Sequence, residues 1–364
     1  MSYEGIVRAT SILIIRLSAI GDIVMASPLI AALRRKYPDA RLVWLVQPEG
    51  YDLLAANEQL DAVMIWPRNE WRELWRQRRV LTLIKRVVSF VRQLRRQRFD
   101  LALDVQGLLK SGIWAWLSGA RQRIGLGSGE GSAWLMTRVV KHHDGDDRIG
   151  AEYRSFARAL ELPDDDFVMH VALSADDRDF ARHLLQERGL EGGYIVICPF
   201  TTRPQKHWFE SRWLDLIGQI NTQLSLPVII LGGPGDASAA QRLVREQDDS
   251  INLAGRTSLC QAAAVIARAR LLIGVDTGLT HMGIALAVPT ITLFGSTCPY
   301  RDSGRDDTIV LYSARDCSPC WRNPTCHGDF TCMRDLGVGD VMQAATRLLT
   351  NQAAVTATAD DHSV

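Results

Sequence analysis

Short apolar runs alternate with longer amphipathic stretches along most of the chain. Runs rich in Ile, Val and Leu that end at Gly, Thr, Pro or Asp predict buried strands. These runs are Ser11–Leu17, Arg41–Val46, Leu101–Val105, Tyr194–Cys198, Pro227–Leu231, Leu271–Val275 and Thr290–Phe294. Apolar residues at helical spacing predict helices at Val24–Lys36, with Pro28 in its first turn, at Leu108–Leu117 and at Glu152–Leu162. The alternation predicts an α/β fold built on parallel sheets.

The pattern divides into two successive α/β series. A chain of 364 residues has room for about two domains. The loop Pro163–Asp166 follows the first series, and we place the boundary between Ser174 and Gly193, which gives domains at residues 1–180 and 181–350. Residues 351–364 are rich in Ala, Thr and Asp and predict a disordered tail.

Composition narrows the class of protein. A hydrophobic fraction of 47% excludes a disordered chain, and a net charge of +1 disfavours a protein that coats nucleic acid. No apolar run approaches the ~20 residues that span a bilayer, and the run Ile12–Ile15 is too short for a signal peptide. The seven cysteines cannot all pair. We therefore expect a reduced, cytoplasmic protein.

Common nucleotide-binding fingerprints do not fit the chain. The glycines of Gly125–Gly129 lack the third glycine of the dinucleotide motif and do not lie between a strand and a helix. No glycine-rich loop is followed by the lysine of a P-loop. These absences disfavour NAD enzymes and P-loop ATPases.

Two turns between a strand and a helix are candidates for chemistry. Asp22 follows Gly21 after the first strand, where it can cap the next helix or act as a general base at the carboxyl edge of the sheet. In the second half, Asp276–His281 opens a helix whose free N–H groups suit an anion, and Gly278 permits a phosphate to come close. The alternative there is an ordinary capped turn with a packed histidine.

Further polar groups follow neighbouring strands of the second half. Thr201, Thr202 and Lys206 offer two hydroxyls and an ammonium, a donor set that suits a diphosphate. Asp236 follows the glycines of Gly232–Gly235, where its carboxylate can accept hydrogen bonds from a ribose. A solvated lysine in a loop is the more common outcome for a position such as Lys206.

Five motifs in order carry a resemblance to a known family: Arg16–Asp22, Asp104–Ser111, Thr201–Trp208, Asp276–His281 and Phe294–Thr297. From about residue 12 to residue 350 the chain resembles the ADP-heptose:lipopolysaccharide heptosyltransferases of glycosyltransferase family 9. The resemblance implies a GT-B fold, in which two Rossmann-like domains with parallel sheets face each other across a cleft. It also implies that the acceptor binds the N-terminal domain and the nucleotide sugar the C-terminal one.

The resemblance assigns roles to individual residues. Asp22 matches the catalytic base that deprotonates the acceptor hydroxyl, and Lys206 is expected to assist the leaving diphosphate. Donor contacts are expected from Thr201, Thr202, Lys206, Asp236, Asp276, Thr277, Gly278 and His281, with Thr257 near the adenine. Acceptor contacts are expected from Ser18, Arg68, Arg72, Gln106 and Lys110. The family is metal-independent, so no cofactor is expected for catalysis.

A basic stretch in the first half allows three interpretations. Between residues 68 and 98 there are eleven Arg and Lys against Glu70 and Glu73, with Trp71 and Trp75 among them. Such a stretch can bind nucleic acid or form a solvated helix face. We favour a third interpretation, recognition of an acceptor that carries phosphates and Kdo carboxylates at a membrane surface.

Four cysteines lie close together near the C-terminus, at positions 317, 320, 326 and 332. A pair spaced like Cys317 and Cys320 is typical of structural zinc sites. The second pair, Cys326 and Cys332, is too widely spaced for the usual zinc pattern, which favours reduced thiols over a metal.

The function implied by the resemblance is inverting transfer of heptose from ADP-heptose to the Kdo/heptose inner core of lipopolysaccharide. Its partners would be the ADP-heptose donor and a lipid A–Kdo acceptor, without nucleic acid, at the inner face of the inner membrane. Two alternatives stay open: a family 9 transferase with another nucleotide sugar or acceptor, and a basic nucleic-acid-binding protein built on Rossmann-like domains.

Overall fold

The computed structural model describes residues 9–141, 145–245, 247, 249–296, 301–320 and 323–360, with side chains as far as residue 352. The chain forms two compact units. The first comprises residues 1–146 and 150–172, and the second comprises residues 147–149 and 173–364.

The first unit is built on a six-stranded parallel sheet with the order β3-β2-β1-β4-β5-β6. Its strands are β1 (Ser11–Ile15), β2 (Arg41–Val46), β3 (Ala62–Ile65), β4 (Leu101–Asp104), β5 (Gln122–Leu126) and β6 (Arg138–Val140). Every residue of β1 and β4 is buried. Their uninterrupted apolar sequences follow from this burial, because helices cover both faces of a parallel sheet.

Seven helices accompany this sheet in the described part of the first unit: α1 (Ile20–Ala26), α2 (Pro28–Lys36), α3 (Tyr51–Ala55), α4 (Arg68–Arg76), α5 (Val80–Arg96), α6 (Leu109–Leu117) and α7 (Ala151–Ala159). The helix predicted over Val24–Lys36 is divided in two. Pro28 is the first residue of α2, a position where its missing N–H costs nothing, and Ser27 separates the two helices. The prediction that this segment is helical was correct, but the prediction of one continuous helix was wrong.

The second unit repeats the architecture with the order β12-β11-β10-β7-β8-β9, again with every pair parallel. Its strands are β7 (Ile195–Cys198), β8 (Val228–Ile230), β9 (Ser250–Asn252), β10 (Leu271–Val275), β11 (Thr290–Phe294) and β12 (Thr308–Tyr312). The helices are α8 (Ala175–Glu187), α9 (Glu210–Gln219), α10 (Ala237–Val244), α11 (Leu259–Ile266), α12 (Gly278–Ala285), α13 (Thr331–Arg334) and α14 (Val338–Asp360).

Two predictions about the ends of domains need correction. The division lies at residue 172, not near 180, because α8 buries Ala181 and Leu185 in the core of the second unit. The predicted tail at 351–364 is helical through Asp360, since α14 continues through Asn351, Gln352 and an alanine-rich segment that favours helix. Residues 361–364 lie outside the described residues.

Both sheets have the strand order of the Rossmann fold, in which the chain first builds outward on one side and then returns to the centre to build the other. The reversal falls between β1 and β4 in the first sheet and between β7 and β10 in the second. Ligands of open α/β sheets bind at the carboxyl ends of such strand pairs. Within the described residues, no helix has the length and apolar character needed to cross a membrane.

Candidate functional site

Asp22 lies at the reversal point of the first sheet, in the first turn of α1. Its Oδ2 accepts the backbone N–H of Ala19 at 3.2 Å, so the side chain closes the start of the helix from the third helical position. The same oxygen forms an ion pair with Arg16. Oδ1 has no hydrogen-bond partner in the described part of the chain, and the side chain is 34% exposed. The capping contact and the ion pair therefore use one carboxylate oxygen, and within the described residues they leave the other without a partner.

Arg16 positions the Asp22 carboxylate through this ion pair. It is buried, and its Nη1 donates to the carbonyl oxygen of Val105 at 3.0 Å, at the end of the neighbouring strand β4. Burial alone would lower the pKa of Arg16, but Tyr153, Asp22 and Glu152 raise it above its ordinary value. Arg16 is thus a fixed cation. Arg16 is part of the first sequence motif, but the motif assigned it no role. Its position directly after a buried strand was the signal that could have identified it.

The loop after β4 packs against the Asp22 loop. The N–H of Leu17 donates to Oε1 of Gln106 at 2.9 Å, and the N–H groups of Gln106 and Gly107 both donate to Oδ1 of Asp104 at 3.1 Å. Gly107 has φ +66°, and a Cβ there would lie 2.1 Å from the carbonyl oxygen of Leu126. Only glycine fits this turn. Gln106, predicted as an acceptor ligand, uses its side-chain carbonyl to hold the Asp22 loop.

The other predicted acceptor residues lie on different elements of the first unit. Ser18 is half-buried in the loop between β1 and α1, and Lys110 is the second residue of α6. Arg68 and Arg72 lie on α4, which follows the outer strand β3. In the described part of the chain, neither arginine makes an ion pair, and no contact joins them to Asp22.

The reversal point of the second sheet carries the predicted donor residues. The side chain of Thr201 in the loop after β7 donates to the carbonyl oxygen of Asp276 after β10 at 3.3 Å. His207 donates from Nε2 to the carbonyl oxygen of Thr201 at 2.8 Å. Thr202 is exposed in the same loop. These hydrogen bonds link the ends of two adjacent strands. His207, for which the sequence predicted no role, is part of this link.

Asp276 joins two nitrogen donors at this point. Its Oδ2 is paired with Nζ of Lys206 at 2.6 Å, and its Oδ1 lies 3.3 Å from Nε2 of His281. All three side chains are largely buried. Burial alone would raise the pKa of Asp276, but hydrogen bonding from His281 and the charge of Lys206 hold it well below the ordinary range. Asp276 is a fixed anion that positions Lys206 and His281.

Thr277 and Gly278 place the start of α12 beside this group. Thr277 precedes α12 and accepts the N–H of Thr280 at 3.1 Å through its carbonyl oxygen, and Gly278 is the first helical residue. Thr280 donates back to the carbonyl oxygen of Val275 at 2.7 Å. The side chain of Thr277 makes no capping bond. The first N–H groups of the helix are therefore available to an anion.

Asp236 and Thr257 lie further along the same edge. Oδ2 of Asp236 accepts the N–H of Gly233 at 2.8 Å and so closes the turn after β8. A Cβ on Gly232 would approach the ring of Phe200 to 2.7 Å, which shows how closely this turn packs on the loop after β7. Gly255 donates to the carbonyl oxygen of Gly232 at 3.0 Å, and Thr257 follows two residues later.

Two residues of the cysteine-rich segment lie beside Gly295. Ser318, between Cys317 and Cys320, donates to the carbonyl oxygen of Gly295, and Sγ of Cys332 would lie 2.9 Å from a Cβ built on Gly295. Burial raises the pKa of Cys320 and of Cys332, and nearby cysteines raise both further. Cys317, Cys320, Cys326 and Cys332 are free thiols in this structure.

No three His, Cys, Asp or Glu side chains among the described residues are arranged to hold a metal ion. Of the motif Phe294–Thr297, the final residue Thr297 lies outside the described residues.

We expect Asp276→Asn to destabilise the second unit. The neutral amide would leave the ammonium of Lys206 without a counter-charge and would turn its NH2 group toward one of the two nitrogen donors, and breaking a buried pair costs about 3–5 kcal/mol. Because the native pKa of Asp276 is depressed, its contribution is complete above the ordinary Asp value of about 3.9 and shrinks as the pH falls below it. Denaturant unfolding of both proteins from pH 7 to pH 3 measures this difference.

Asp215→Asn is the matched control, because Asp215 is exposed on α9 of the same unit. Its effect should stay within about 0.5 kcal/mol. Equal stabilities of wild type and Asp276→Asn at pH 7 would contradict a structural role for the buried pair.

Comparison with known proteins identifies the family. Residues 87–329 match glycosyltransferase family 9 (heptosyltransferase). Lipopolysaccharide heptosyltransferase 1 of Salmonella typhimurium is 28% identical over 298 residues, covering 79% of this chain and 89% of that protein. The enzyme of the same name from Escherichia coli K12 is 29% identical over 304 residues, covering 79% and 88%.

Solved structures agree on the fold. A glycosyltransferase family 9 protein from Veillonella parvula superposes with a TM-score of 0.81 at 19% identity, covering 94% of this chain and 98% of that one. E. coli heptosyltransferase WaaC with ADP-2-deoxy-2-fluoro heptose gives a TM-score of 0.69 at 23% identity, covering 93% and 99%. The predicted α/β class and GT-B fold are confirmed. The chain is a glycosyltransferase and belongs to family 9.

Proposed function

We propose that the protein transfers heptose from ADP-heptose to the Kdo/heptose inner core of lipopolysaccharide, with inversion at the anomeric carbon. The named relatives are lipopolysaccharide heptosyltransferases, and one structural neighbour was solved with an ADP-heptose analogue. The observation that carries the proposal is the group Lys206–Asp276–His281 beside the start of α12, where an ammonium and the free N–H groups of a helix start offer several donors to a diphosphate.

Asp22 is the general base in this proposal. Arg16 and the N–H of Ala19 both occupy Oδ2, which leaves Oδ1 to accept the proton of the acceptor hydroxyl. The resulting oxygen nucleophile attacks the anomeric carbon of heptose as the bond to ADP breaks. A well-placed general base typically contributes about 10²–10⁴-fold to the rate.

Lys206 stabilises the charge that grows on the departing diphosphate. Its ammonium has three N–H donors, and the pair with Asp276 occupies one of them at a fixed position. The N–H groups at the start of α12 and the hydroxyls of Thr201 and Thr202 add neutral donors, and Asp236 is assigned to the ribose. Groups fixed in advance in this way stabilise developing charge without reorganising during the reaction.

The acceptor is assigned to the first unit, with Ser18, Gln106 and Lys110 near Asp22 and with Arg68 and Arg72 on α4. A lipid A–Kdo acceptor carries phosphates and carboxylates, which match the basic character of this unit. We place the reaction at the inner face of the inner membrane. Incubation with ADP-heptose and defined lipid A–Kdo acceptors, followed by mass spectrometry of the products, tests the proposal. A product from another nucleotide sugar alone would instead support a different donor within the family.

Asp22→Asn should lower turnover by about 100-fold or more, because the amide cannot accept the proton. ADP affinity should be unchanged, since Asp22 lies in the first unit. Steady-state rates and ADP calorimetry measure the two quantities. Asp52→Asn, an exposed carboxylate in the first turn of α3, is the control and should react like wild type. Wild-type turnover in Asp22→Asn would remove the base assignment.

Initial rates should be the same in EDTA and in Mg²⁺ at matched ionic strength. The reason is that Lys206 and the backbone N–H groups of α12 supply the positive potential that a cation provides in other transferases. A strict requirement for Mg²⁺ or Mn²⁺ would contradict this assignment of the donor site. Metal analysis of the EDTA-treated protein separately measures any ion retained at the cysteines.

Lys206→Ala and Arg72→Ala should affect different ligands. Loss of a charge-assisted bond from Lys206 should weaken ADP binding by about 1.5–3 kcal/mol. Arg72→Ala should leave ADP affinity unchanged and raise the acceptor KM, more strongly at low salt, where screening is weak. Calorimetry with ADP and acceptor titrations at two salt concentrations measure both effects.

Arg245→Ala is the control for charge alone, because Arg245 is exposed at the end of α10, opposite the carboxyl edge of the sheet. It should leave both ligands unaffected. If Arg72→Ala loses ADP binding, or if neither Arg68 nor Arg72 affects the acceptor, the acceptor assignment is wrong.

A further inference from the structure

Helix α5 exposes large aliphatic side chains on the face turned away from the core. Leu81 is 78% exposed, Ile84 52% and Val88 40%. Their spacing of three and four residues puts them on one stripe. Phe90 and Leu94 lie on the opposite side and are buried in the core of the first unit. The helix therefore has two apolar faces, of which one packs in the core of the first unit and the other is exposed.

The exposed stripe has apolar neighbours. Trp75, near the end of α4, is 64% exposed, and Val80 begins α5. An ion pair between Glu70 and Arg86, 3.4 Å long, ties α4 to α5. Five large apolar side chains are thus exposed on two connected helices, whereas single exposed apolar residues are the usual case on a protein surface.

Helix α6 carries a second exposed apolar stripe. Its members are Leu109, Ile113 and Trp116, spaced four and three residues apart. Nε of Arg95, on α5, donates to the carbonyl oxygen of Leu117 at 3.1 Å and joins the ends of the two helices. The apolar surface of the first unit therefore extends over more than one helix.

Positive charge surrounds the stripe on α5. Glu70 pairs with Arg86 and Glu73 with Arg76, so the carboxylates of the stretch 68–98 leave nine of its eleven basic residues unneutralised. Because each helical residue advances by about 100°, Arg92 lies roughly 40° from Val88 around the helix and Lys85 about 40° from Leu81. Basic residues therefore flank the apolar stripe on the outward face of the helix.

We propose that this outward face of α5, formed by Leu81, Ile84 and Val88 with Lys85 and Arg92, docks on the surface of an anionic phospholipid bilayer. Aliphatic side chains at helical spacing with basic residues around them are typical of helices that lie in the interface plane. A polyanion such as RNA would use the basic residues and gain nothing from exposed Leu and Ile. The proposal goes beyond the sugar chemistry, because it concerns a surface on which none of the assigned donor or acceptor residues lies.

Flotation of the full chain with vesicles tests this surface without any sugar substrate. Vesicles of phosphatidylcholine with about a third phosphatidylglycerol are compared with vesicles of pure phosphatidylcholine, at low and high salt. The variants are Leu81→Gln/Ile84→Gln and Lys85→Gln/Arg92→Gln. Val168→Gln is the matched control, because Val168 is a 55% exposed aliphatic residue of the same unit outside the helices. Thermal midpoints check that all variants fold.

The wild type should bind the anionic vesicles and bind them less at high salt. Leu81→Gln/Ile84→Gln should weaken that binding at least tenfold at both salt concentrations. Each basic residue near an anionic surface contributes about fivefold, so Lys85→Gln/Arg92→Gln should weaken binding about 25-fold at low salt and less at high salt. Val168→Gln should bind like wild type.

Three results would overturn the proposal: failure of the wild type to bind anionic vesicles, unchanged binding by Leu81→Gln/Ile84→Gln, or an equal loss in Val168→Gln. Tighter wild-type binding to a single-stranded oligonucleotide than to the vesicles, insensitive to Leu81→Gln/Ile84→Gln, would assign the surface to nucleic acid instead. Because the assay contains no ADP-heptose and no acceptor, its outcome is independent of whether the transferase proposal holds.

Discussion

The constraint on which the structure depends is the reversal of strand order at the centre of each sheet. The connections leaving β1 and β4 diverge to opposite sides of the first sheet, as do those leaving β7 and β10 in the second. The loops at these strand ends are consequently not covered by a helix that crosses between them. Among the described residues, the ion-paired groups of the two candidate sites, Arg16 with Asp22 and Asp276 with Lys206 and His281, come from these loops or from the first turn of the helix that follows.

Buried charge organises both loop pairs in the same way. Arg16 reaches from the end of β1 to Asp22 and to the carbonyl oxygen of Val105, and Asp276 reaches from the end of β10 to Lys206 and His281. In each case an ion that would be costly to bury alone is stabilised by an opposite charge and by further hydrogen bonds. The pairing fixes the geometry of the charged groups at both strand ends.

A further buried acid, Asp104, acts through the backbone. Burial raises the pKa of Asp104, while hydrogen bonds from the N–H groups of Gly107 and Gln106 oppose that rise. Asp104 shapes the turn, and the side chain of Gln106 then holds the backbone of Leu17. A residue that contacts no ligand in the proposal therefore sets the position of the loop that carries Asp22.

The sequence by itself determined the class of fold and most of its strands, because a parallel strand buried on both faces must be apolar throughout, as Leu271–Val275 and Thr290–Phe294 are. It also determined which loops would hold the polar groups, since the strand-end motifs are local. Only the tertiary structure determined which charged groups pair. Arg16 pairs with Asp22 and is supported by the end of β4, and Lys206 pairs with Asp276 across seventy residues of chain. It also decided that the stripe of α5 remains uncovered, because amphipathic spacing predicts a helix but does not say which apolar face meets the core.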